Sequence, residues 1–298
     1  MTIKLRENST DNKFKLTWGK FSLDLSRKTY IMGVLNRTPD SFSDGGHFMK
    51  IDAAVKRVMA MVAEGADIID IGGESTRPGA EPVDIETELE RTIPLIQRVA
   101  RNIRAPISID TSKSEVAEEA IKNGASMIND VSGLRSDLGI ARVARDYDVP
   151  LIIMHMRGTP KTMQAKARYD SVLEEILNEL RESLNIAEKA GVDGNKIIVD
   201  PGIGFGKTVE HNLEIINNFD RLKALNKPLL IGVSRKSFMA NILKENGVSP
   251  EDVEKSGRLI GTIVTSVASV IKGANILRVH DVKEIYQAVK ISDAMLRC

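Results

Sequence analysis

The sequence predicts a (β/α)8 barrel, and two observations favour it. Eight short, β-branched apolar runs alternate along the chain with longer amphipathic stretches. The runs are apolar almost throughout, as is typical of parallel strands that are covered on both faces. A doubly wound α/β sheet is the alternative, but the strand count favours the barrel. Although the chain has 298 residues, barrels of about 250 residues routinely form one domain.

A small β-hairpin is predicted before the first barrel strand. Phe14–Trp18 and Phe21–Leu25 alternate apolar and polar residues around Gly19-Lys20. We expect this hairpin to cover the bottom of the barrel. The predicted organisation is therefore an N-terminal extension over residues 1–28 and a barrel domain over residues 29–298.

The barrel strands and helices follow in alternation. The strands are predicted at Tyr30–Leu35, Ile68–Ile71, Ile107–Ile109, Met127–Ile128, Leu151–Met154, Ile197–Val199, Leu229–Val233 and Ile276–Val279. Helical patterns are clearest at Ala53–Glu64, Glu86–Arg101, Glu115–Lys122 and Val172–Ala190. Gly65, Gly124 and Gly273 each stand about two residues before a strand, and each is expected in the left-handed conformation that ends a helix.

Helix starts also have sequence signals. Ser112 with Glu115 and Asp281 with Glu284 have the spacing of capping boxes. Ser249-Pro250 predicts an N-cap followed by proline at the first helical position.

Composition narrows the class of protein. Lys plus Arg number 42 and Asp plus Glu 41, a balance that gives no electrostatic case for nucleic acid or an anionic membrane surface. The single cysteine, Cys298, permits no internal disulfide or cysteine metal site. The charged N-terminus is unlike a secretory signal, and Leu259–Leu277 contains Lys272 and is unlike a membrane span. A cytoplasmic protein is therefore predicted.

The residues that follow the predicted strands are the candidate site. In a (β/α)8 barrel the active site lies at the C-terminal ends of the strands. Every predicted strand is followed there by a side chain that is charged or forms hydrogen bonds. In chain order these are Asn36, Gly72–Arg77, Asp110, Asn129-Asp130, His155, Asp200, Ser234–Lys236, and Arg278 with His280.

Two chemistries are mixed in this set. Asp110 and Asp200 supply carboxylate acceptors, and Asn129 adds one amide. A carboxylate can accept two parallel N–H bonds from the edge of an amino-pyrimidinone ring. The side chains of four other residues suit anions instead: Asn36, Lys236, Arg278 and His280. The expected substrate thus has a heterocyclic head and an anionic tail, and these residues are also compatible with a second anion.

The glycine-rich segment Asp200–Thr208 resembles a phosphate loop only superficially. Pro201 stands where a P-loop requires glycine, and Lys207 stands where a dinucleotide fingerprint requires its third glycine. We interpret the segment as a tight turn that brings Phe205 close to a ligand. His155 is interpreted as a packing residue, and the four histidines lack metal-ligand spacing.

Several segments together resemble the dihydropteroate synthases. Asn36–Gly46 and Gly72–Gly79 are similar to the first two signatures of that family. The later matches occur in the family's order: Ser108–Thr111, Asn129-Asp130, Met154–Met156, Asp200–Gly202, Ser234–Ser237 and Arg278–Asp281. The resemblance covers about residues 30–296, with one departure at Arg37, where the family usually has a small apolar residue.

The resemblance implies an activity and a set of site residues. The activity is condensation of 6-hydroxymethyl-7,8-dihydropterin diphosphate with p-aminobenzoate to give 7,8-dihydropteroate and pyrophosphate, by a homodimer. The implied catalytic residues are Asp44, Lys236 and Arg278. The implied substrate-binding residues are Thr76, Arg77, Pro78, Asp110, Asn129, Met154, Asp200, Phe205, Lys236, Ser237, Arg278, Val279 and His280. Asn36 is implied to help hold the cofactor Mg²⁺ on the diphosphate.

Two other functions stay open at this point. A pterin-dependent methyltransferase barrel would share the Asp110, Asn129 and Asp200 pocket, but it needs no diphosphate clamp such as Asn36, Arg278 and His280. A barrel without activity that only binds a pterin is the second alternative, and a turnover assay distinguishes it.

Overall fold

The computed structural model describes the backbone of residues 14–37 and 47–297, and the side chains of these residues except those of residues 47–50. Asp44 and most of the loop after the first barrel strand lie outside the described residues. The predicted hairpin is present as β1 (Lys15–Trp18) and β2 (Phe21–Asp24), paired antiparallel. It contacts the short 3-10 helix at Gly194–Lys196, at the N-terminal end of the barrel, which confirms its expected place.

Eight parallel strands form the barrel. They are β3 (Tyr30–Asn36), β4 (Ile68–Gly72), β5 (Ile107–Asp110), β6 (Met127–Asp130), β7 (Leu151–Met154), β8 (Ile197–Asp200), β9 (Leu230–Ile231) and β10 (Ile276–Val279). Neighbours pair in the order β8-β7-β6-β5-β4-β3-β10-β9. A parallel bridge between Val199 and Leu229 joins β8 to the start of β9. This barrel confirms the predicted fold and excludes a doubly wound sheet.

Helices connect successive strands on the outside. They are α1 (His47–Glu64), α2 (Ile85–Asn102), α3 (Ser114–Lys122), α4 (Gly139–Asp146), α5 (Val172–Lys189), α6 (Val209–Asn217), α7 (Ser237–Glu245), α8 (Pro250–Asp252), α9 (Arg258–Ile271) and α10 (Val282–Leu296). A π-helical segment, Val253–Gly257, joins α8 to α9. Within the described parts of the chain, no helix is long and apolar enough to cross a membrane.

The glycines at the helix-to-strand junctions have the expected conformation. Gly65, Gly124 and Gly273 have φ angles of 112°, 116° and 104°. At Gly65 a Cβ would lie 2.2 Å from the Tyr286 ring. Only glycine therefore fits there, both for its conformation and for its space.

Two local expectations were wrong. Helix α3 begins at Ser114 with Lys113 as N-cap and no side-chain cap, because the Ser114 N–H bonds to Asp137 instead, at 2.7 Å. Asp281 is the N-cap of α10 but caps no backbone N–H, because its carboxylate pairs with Arg235. Ser249 caps α8 as expected.

Strand β9 is shorter than its apolar run. The sequence predicts a strand over Leu229–Val233, but β9 comprises only Leu230–Ile231. The chain turns directly afterwards, and Arg235 adopts a left-handed φ of 57°. That turn places Lys236 and its neighbours over the end of the barrel.

Candidate active site

The C-terminal ends of β4, β5, β6, β8 and β10 bring a set of polar side chains into the barrel. Asp110, Asn129 and Asp200 are each at most 5% exposed, although they come from three different strands. Such burial of carboxylates is costly unless their oxygens are bonded or await a ligand. The predicted convergence of the two acids and the amide is therefore consistent with the fold.

A fourth buried acid, Asp70 in β4, organises this pocket. Its Oδ2 accepts a hydrogen bond from Arg278 Nε at 2.7 Å and one from Asn129 Nδ2 at 3.1 Å. The Arg278 guanidinium also donates through Nη2 to Asp110 Oδ2 at 2.6 Å. Since the Asn129 nitrogen is engaged by Asp70, its amide oxygen remains as the acceptor for a ligand.

Burial changes the proton affinity of these acids. Desolvation raises the pKa of Asp110 to about 7, although the nearby Arg278 lowers it. Desolvation likewise raises the pKa of Asp200 to about 6, opposed by the hydrogen bond from the Gly202 N–H. That bond, 2.7 Å long, occupies Oδ1 of Asp200. In both acids the loss of hydration on burial therefore outweighs the nearby donors and raises the pKa.

Lys236 and Phe205 form the side of the pocket nearest β8 and β9. The Lys236 ammonium lies 3.9 Å from the centroid of the Phe205 ring, within range of a cation–π interaction. Burial lowers the pKa of Lys236 to about 8, with Arg278 adding to the effect. Phe205 also packs in a small apolar cluster with Met154 and other buried residues, so two predicted binding residues are in contact through that cluster.

A cleft beside the pocket is rich in cations. Its volume is about 480 Å³, and it lies between β3, α1 and the segments that follow β4, β9 and β10. The lining includes Asn36, Thr76, Arg77 and His280 from the predicted set, with Arg57, Arg235 and Asp281 in addition. An anionic group suits this cleft because three guanidinium groups line it, of which Arg235 also pairs with Asp281 and Arg57 with Glu64.

The imidazole of His280 is neutral in this setting. Burial lowers the pKa of His280 to about 4, and Arg278 lowers it further. Its Nδ1 lies 3.1 Å from the Ser234 hydroxyl. The Arg278 guanidinium itself donates to Asp70 and Asp110. The joint role of Arg278 and His280 in holding the diphosphate stays a prediction.

Three predicted residues are at the rim or behind it. Pro78 and Ser237 are exposed, one after β4 and the other at the first position of α7, whereas Val279 is fully buried in β10. The Val279 side chain therefore has no exposed surface that a ligand could contact.

Arg37 has a structural task that the sequence did not indicate. Its guanidinium is buried and donates to the carbonyls of Glu90 and Arg91 in α2, at 3.1 and 2.6 Å. The Glu90 carbonyl needs such a donor because Pro94, four residues on, has no N–H. Arg37 thus fixes the end of β3 against α2.

The comparisons with known proteins agree with this geometry. A family model described as "Pterin binding enzyme" matches residues 32–280. A dihydropteroate synthase of Clostridium beijerinckii is 47% identical over 280 residues, covering 94% of this chain and 98% of that protein. The Escherichia coli dihydropteroate synthase is 44% identical over 92% of this chain and 94% of its own length.

Solved structures agree as well. A dihydropteroate synthase from Clostridium difficile, crystallised in the presence of pteroic acid, has a TM-score of 0.83 and 45% identity, covering 91% of this chain and 98% of that one. One from Xanthomonas albilineans with 4-aminobenzoic acid has a TM-score of 0.83 and 39% identity, covering 93% and 96%.

The chain belongs to the dihydropteroate synthase family. It is accordingly an enzyme, a transferase built on a pterin-binding barrel. The family resemblance of the sequence motifs is therefore confirmed.

Sequence reasoning did not single out two residues beside this candidate site. Asp70 lies inside β4 rather than after it, and its only sequence signal is a charge within the apolar run Ile68–Ile71. Arg57 lies in α1, and its side chain lines the cleft. Its Nη2 donates to the His280 carbonyl at 3.2 Å. Only the assembled fold shows that helix facing the cleft.

Proposed function

We propose that the barrel pocket and the adjoining cleft together condense 6-hydroxymethyl-7,8-dihydropterin diphosphate with p-aminobenzoate, which yields 7,8-dihydropteroate and pyrophosphate for folate biosynthesis. The observation that carries the proposal is a buried pocket of Asp110, Asn129 and Asp200 directly beside a cleft lined by arginines. Relatives at 44–47% identity are dihydropteroate synthases, and one related structure contains 7,8-dihydropteroate.

The pterin ring fits the buried pocket. Asp200 has Oδ2 available for the N–H groups of the pterin, since Oδ1 already accepts from Gly202. Asn129 offers its oxygen and Asp110 offers the oxygen that Arg278 does not bind. These acceptors match the donor edge of an amino-pyrimidinone.

We propose that p-aminobenzoate binds at the mouth of the pocket. Thr76, Arg77 and Pro78 would contact it from one side and Phe205, with Lys236 and Ser237, from the other. An arylamine is neutral at pH 7 and weakly nucleophilic, so a strong general base offers little. Orientation of its nitrogen toward the exocyclic carbon of the pterin is the larger contribution.

Departure of diphosphate is the demanding step. The cleft cations Arg57, Arg77 and Arg235 would stabilise the negative charge that develops on the leaving group, as fixed cations do. The pterin delocalises the positive charge left on its exocyclic carbon, which favours an SN1-like path. Asp44 would stabilise that cation, and Arg278 would do so indirectly by holding Asp110 against the pterin.

Mg²⁺ is proposed as a cofactor on the diphosphate. Among the described residues there is no group of three or more His, Cys, Asp or Glu side chains that could hold a metal ion by themselves. Asn36 fits the usual manner of binding, because Mg²⁺ takes one or two protein oxygens and completes its shell with phosphate oxygens and water. When bound, the ion would neutralise charge on the leaving diphosphate.

A homodimer is proposed through the outer face of α9 and α10. These helices pack side by side, and Ile260, Val264, Ile271, Ile291 and Met295 on them are each at least half exposed. Clustered apolar side chains of this kind mark interaction surfaces. Sedimentation equilibrium should give twice the chain mass, and Val264→Glu should give the monomer.

The balanced charge and lone cysteine favour the cytoplasm as compartment.

The test is product formation from the two substrates. Mass spectrometry should detect dihydropteroate when both are supplied to the wild-type enzyme with Mg²⁺. Asp200→Asn should abolish product while the melting temperature stays near that of the wild type. Pterin binding without any product would instead support a barrel that only binds pterins.

A further inference from the structure

Lys207 is a buried cation that the proposed reaction does not use. Its residue is only 4% exposed, and burial lowers the pKa of its ammonium to about 7. Among the residues that the structure describes, no carboxylate lies within ion-pair distance of it. Instead its Nζ lies 3.0 Å from the Phe205 carbonyl oxygen and 3.1 Å from Nδ1 of His155. A buried lysine held this way is costly, so its contacts need a reason.

The loop that carries Lys207 contains three glycines. Gly202, Gly204 and Gly206 all have left-handed φ angles, of 70°, 80° and 61°. A Cβ on Gly202 would lie 1.9 Å from the His155 carbonyl oxygen, so the loop runs directly against β7. Glycine lowers the cost of these conformations but enlarges the number of alternatives, so contacts help to fix the loop. Besides Lys207, Asn212 accepts from the Gly204 N–H at 2.8 Å and the Tyr169 hydroxyl donates to the Gly206 carbonyl at 3.1 Å.

His155 links Lys207 to a carboxylate. An ammonium can only donate, so Nδ1 of His155 accepts from Lys207, and the proton of the neutral ring is then on Nε2. That nitrogen lies 3.2 Å from Oε2 of Glu179 in α5. Burial, followed by the charge of Lys207, lowers the pKa of His155 to about 3, in agreement with a neutral ring. Glu179 is itself fixed by Arg135 and Arg157.

The other side of the same loop contacts Lys236. The Phe205 ring lies under the Lys236 ammonium, at 3.9 Å from centroid to Nζ. A Cβ on Gly204 would lie 2.9 Å from Cδ of Lys236, so the stem of that lysine runs along the loop backbone. The position of Lys236 therefore depends on the position of Gly204 and Phe205.

We propose that Lys207 is a positioning residue: it fixes the Phe205 carbonyl against the His155–Glu179 pair and so holds the Phe205 ring and Lys236 in place for p-aminobenzoate. This rests on the proposed function of the site. Lys207 touches neither substrate. Its effect is transmitted through Phe205.

The experiment is a double-mutant cycle on the full-length enzyme. Lys207→Met removes the donor and keeps the length of the chain, and Phe205→Leu removes the ring. We expect Lys207→Met to raise the KM for p-aminobenzoate about ten-fold, with a smaller change in the affinity for the pterin substrate measured by calorimetry. In the Phe205→Leu background the same change should have little further effect, because coupled neighbours are not additive.

The matched control is Lys196, which precedes β8 at the opposite end of the barrel and pairs with Asp148. Lys196→Met should leave the KM for p-aminobenzoate and the affinity for the pterin substrate unchanged. If Lys207→Met does not fold, Lys207→Gln, which keeps a donor, enters the same cycle and should show a smaller effect in the same direction. Multiplicative losses in the cycle, or an unchanged KM for p-aminobenzoate, overturn the positioning role. Wild-type enzyme that forms no dihydropteroate overturns the proposed function instead.

Discussion

Replacing Asp70 by asparagine tests whether this buried acid organises the pterin pocket. Asp70 accepts from Arg278 at 2.7 Å and from Asn129 at 3.1 Å, and it has no exposed surface. Asparagine keeps the shape and one acceptor oxygen but removes the charge. Both partners of Asp70 are proposed to shape the surface that the pterin meets.

The expected loss follows from these contacts. Removing one partner of a buried ion pair costs about 3–5 kcal/mol when the other is left alone. Here Arg278 keeps its bond to Asp110, so the loss should be nearer the value of a hydrogen bond to a charged group, about 1.5–3 kcal/mol. We expect the free energy of unfolding to fall by about 2 kcal/mol by this comparison. Pterin affinity should fall about ten-fold, which corresponds to about 1.4 kcal/mol.

Urea unfolding and calorimetric titration with a pterin measure the two effects. Asp67→Asn is the matched control, since Asp67 stands just before the same strand, pairs with Lys28 and bonds the Ile31 N–H at 3.0 Å, far from the pocket. The control should lose stability but not pterin affinity. If Asp70→Asn binds the pterin as tightly as the wild type does, the organising role of Asp70 is refuted.

Three further predictions concern other parts of the site. The pKa values of Asp200 and Asp110 are raised to about 6 and about 7. Pterin affinity should therefore increase as the pH rises from 5 to 7.5, because the carboxylate forms accept the N–H bonds. Calorimetry at several pH values checks this, and a flat profile contradicts it. Asn36→Ala should raise the Mg²⁺ concentration that half-activates turnover, whereas full wild-type activity in excess chelator would exclude the ion. Arg37→Val should lower the free energy of unfolding in urea by about 1–3 kcal/mol, because the Glu90 carbonyl loses its donor; an unchanged midpoint would show that the contact contributes nothing.

The barrel and its acids were predictable because they follow simple rules. Parallel strands that are buried on both faces give apolar runs, and the chain has one for each of the eight strands. The residues after those runs must meet at one end of a barrel. Asp110, Asn129 and Asp200 were found by that rule alone.

The rule failed for polar residues that do not follow the end of a strand. Asp70 is inside its strand, and its bond to Arg278 joins residues 208 positions apart in the sequence. The capping role expected for Ser112 failed for a related reason, since Asp137, from another connection, binds the Ser114 N–H instead. Contacts of this kind depend on the closed barrel and have no local signal.

The substitution at Arg37 shows a further limit. As a sequence feature it is only a departure from the family pattern in a loop. Its significance follows from Pro94, which lies in a different helix and leaves the Glu90 carbonyl without its usual donor. Neither residue alone predicts the pairing.

Pyrophosphate release measured with and without p-aminobenzoate tests the central claim most directly. The account predicts that the wild-type enzyme, given 6-hydroxymethyl-7,8-dihydropterin diphosphate and Mg²⁺, releases pyrophosphate in a stoichiometric ratio to dihydropteroate when p-aminobenzoate is present. The account would be contradicted if the enzyme released no pyrophosphate. It would also be contradicted if pyrophosphate were released at the same rate with and without p-aminobenzoate and no arylamine were incorporated.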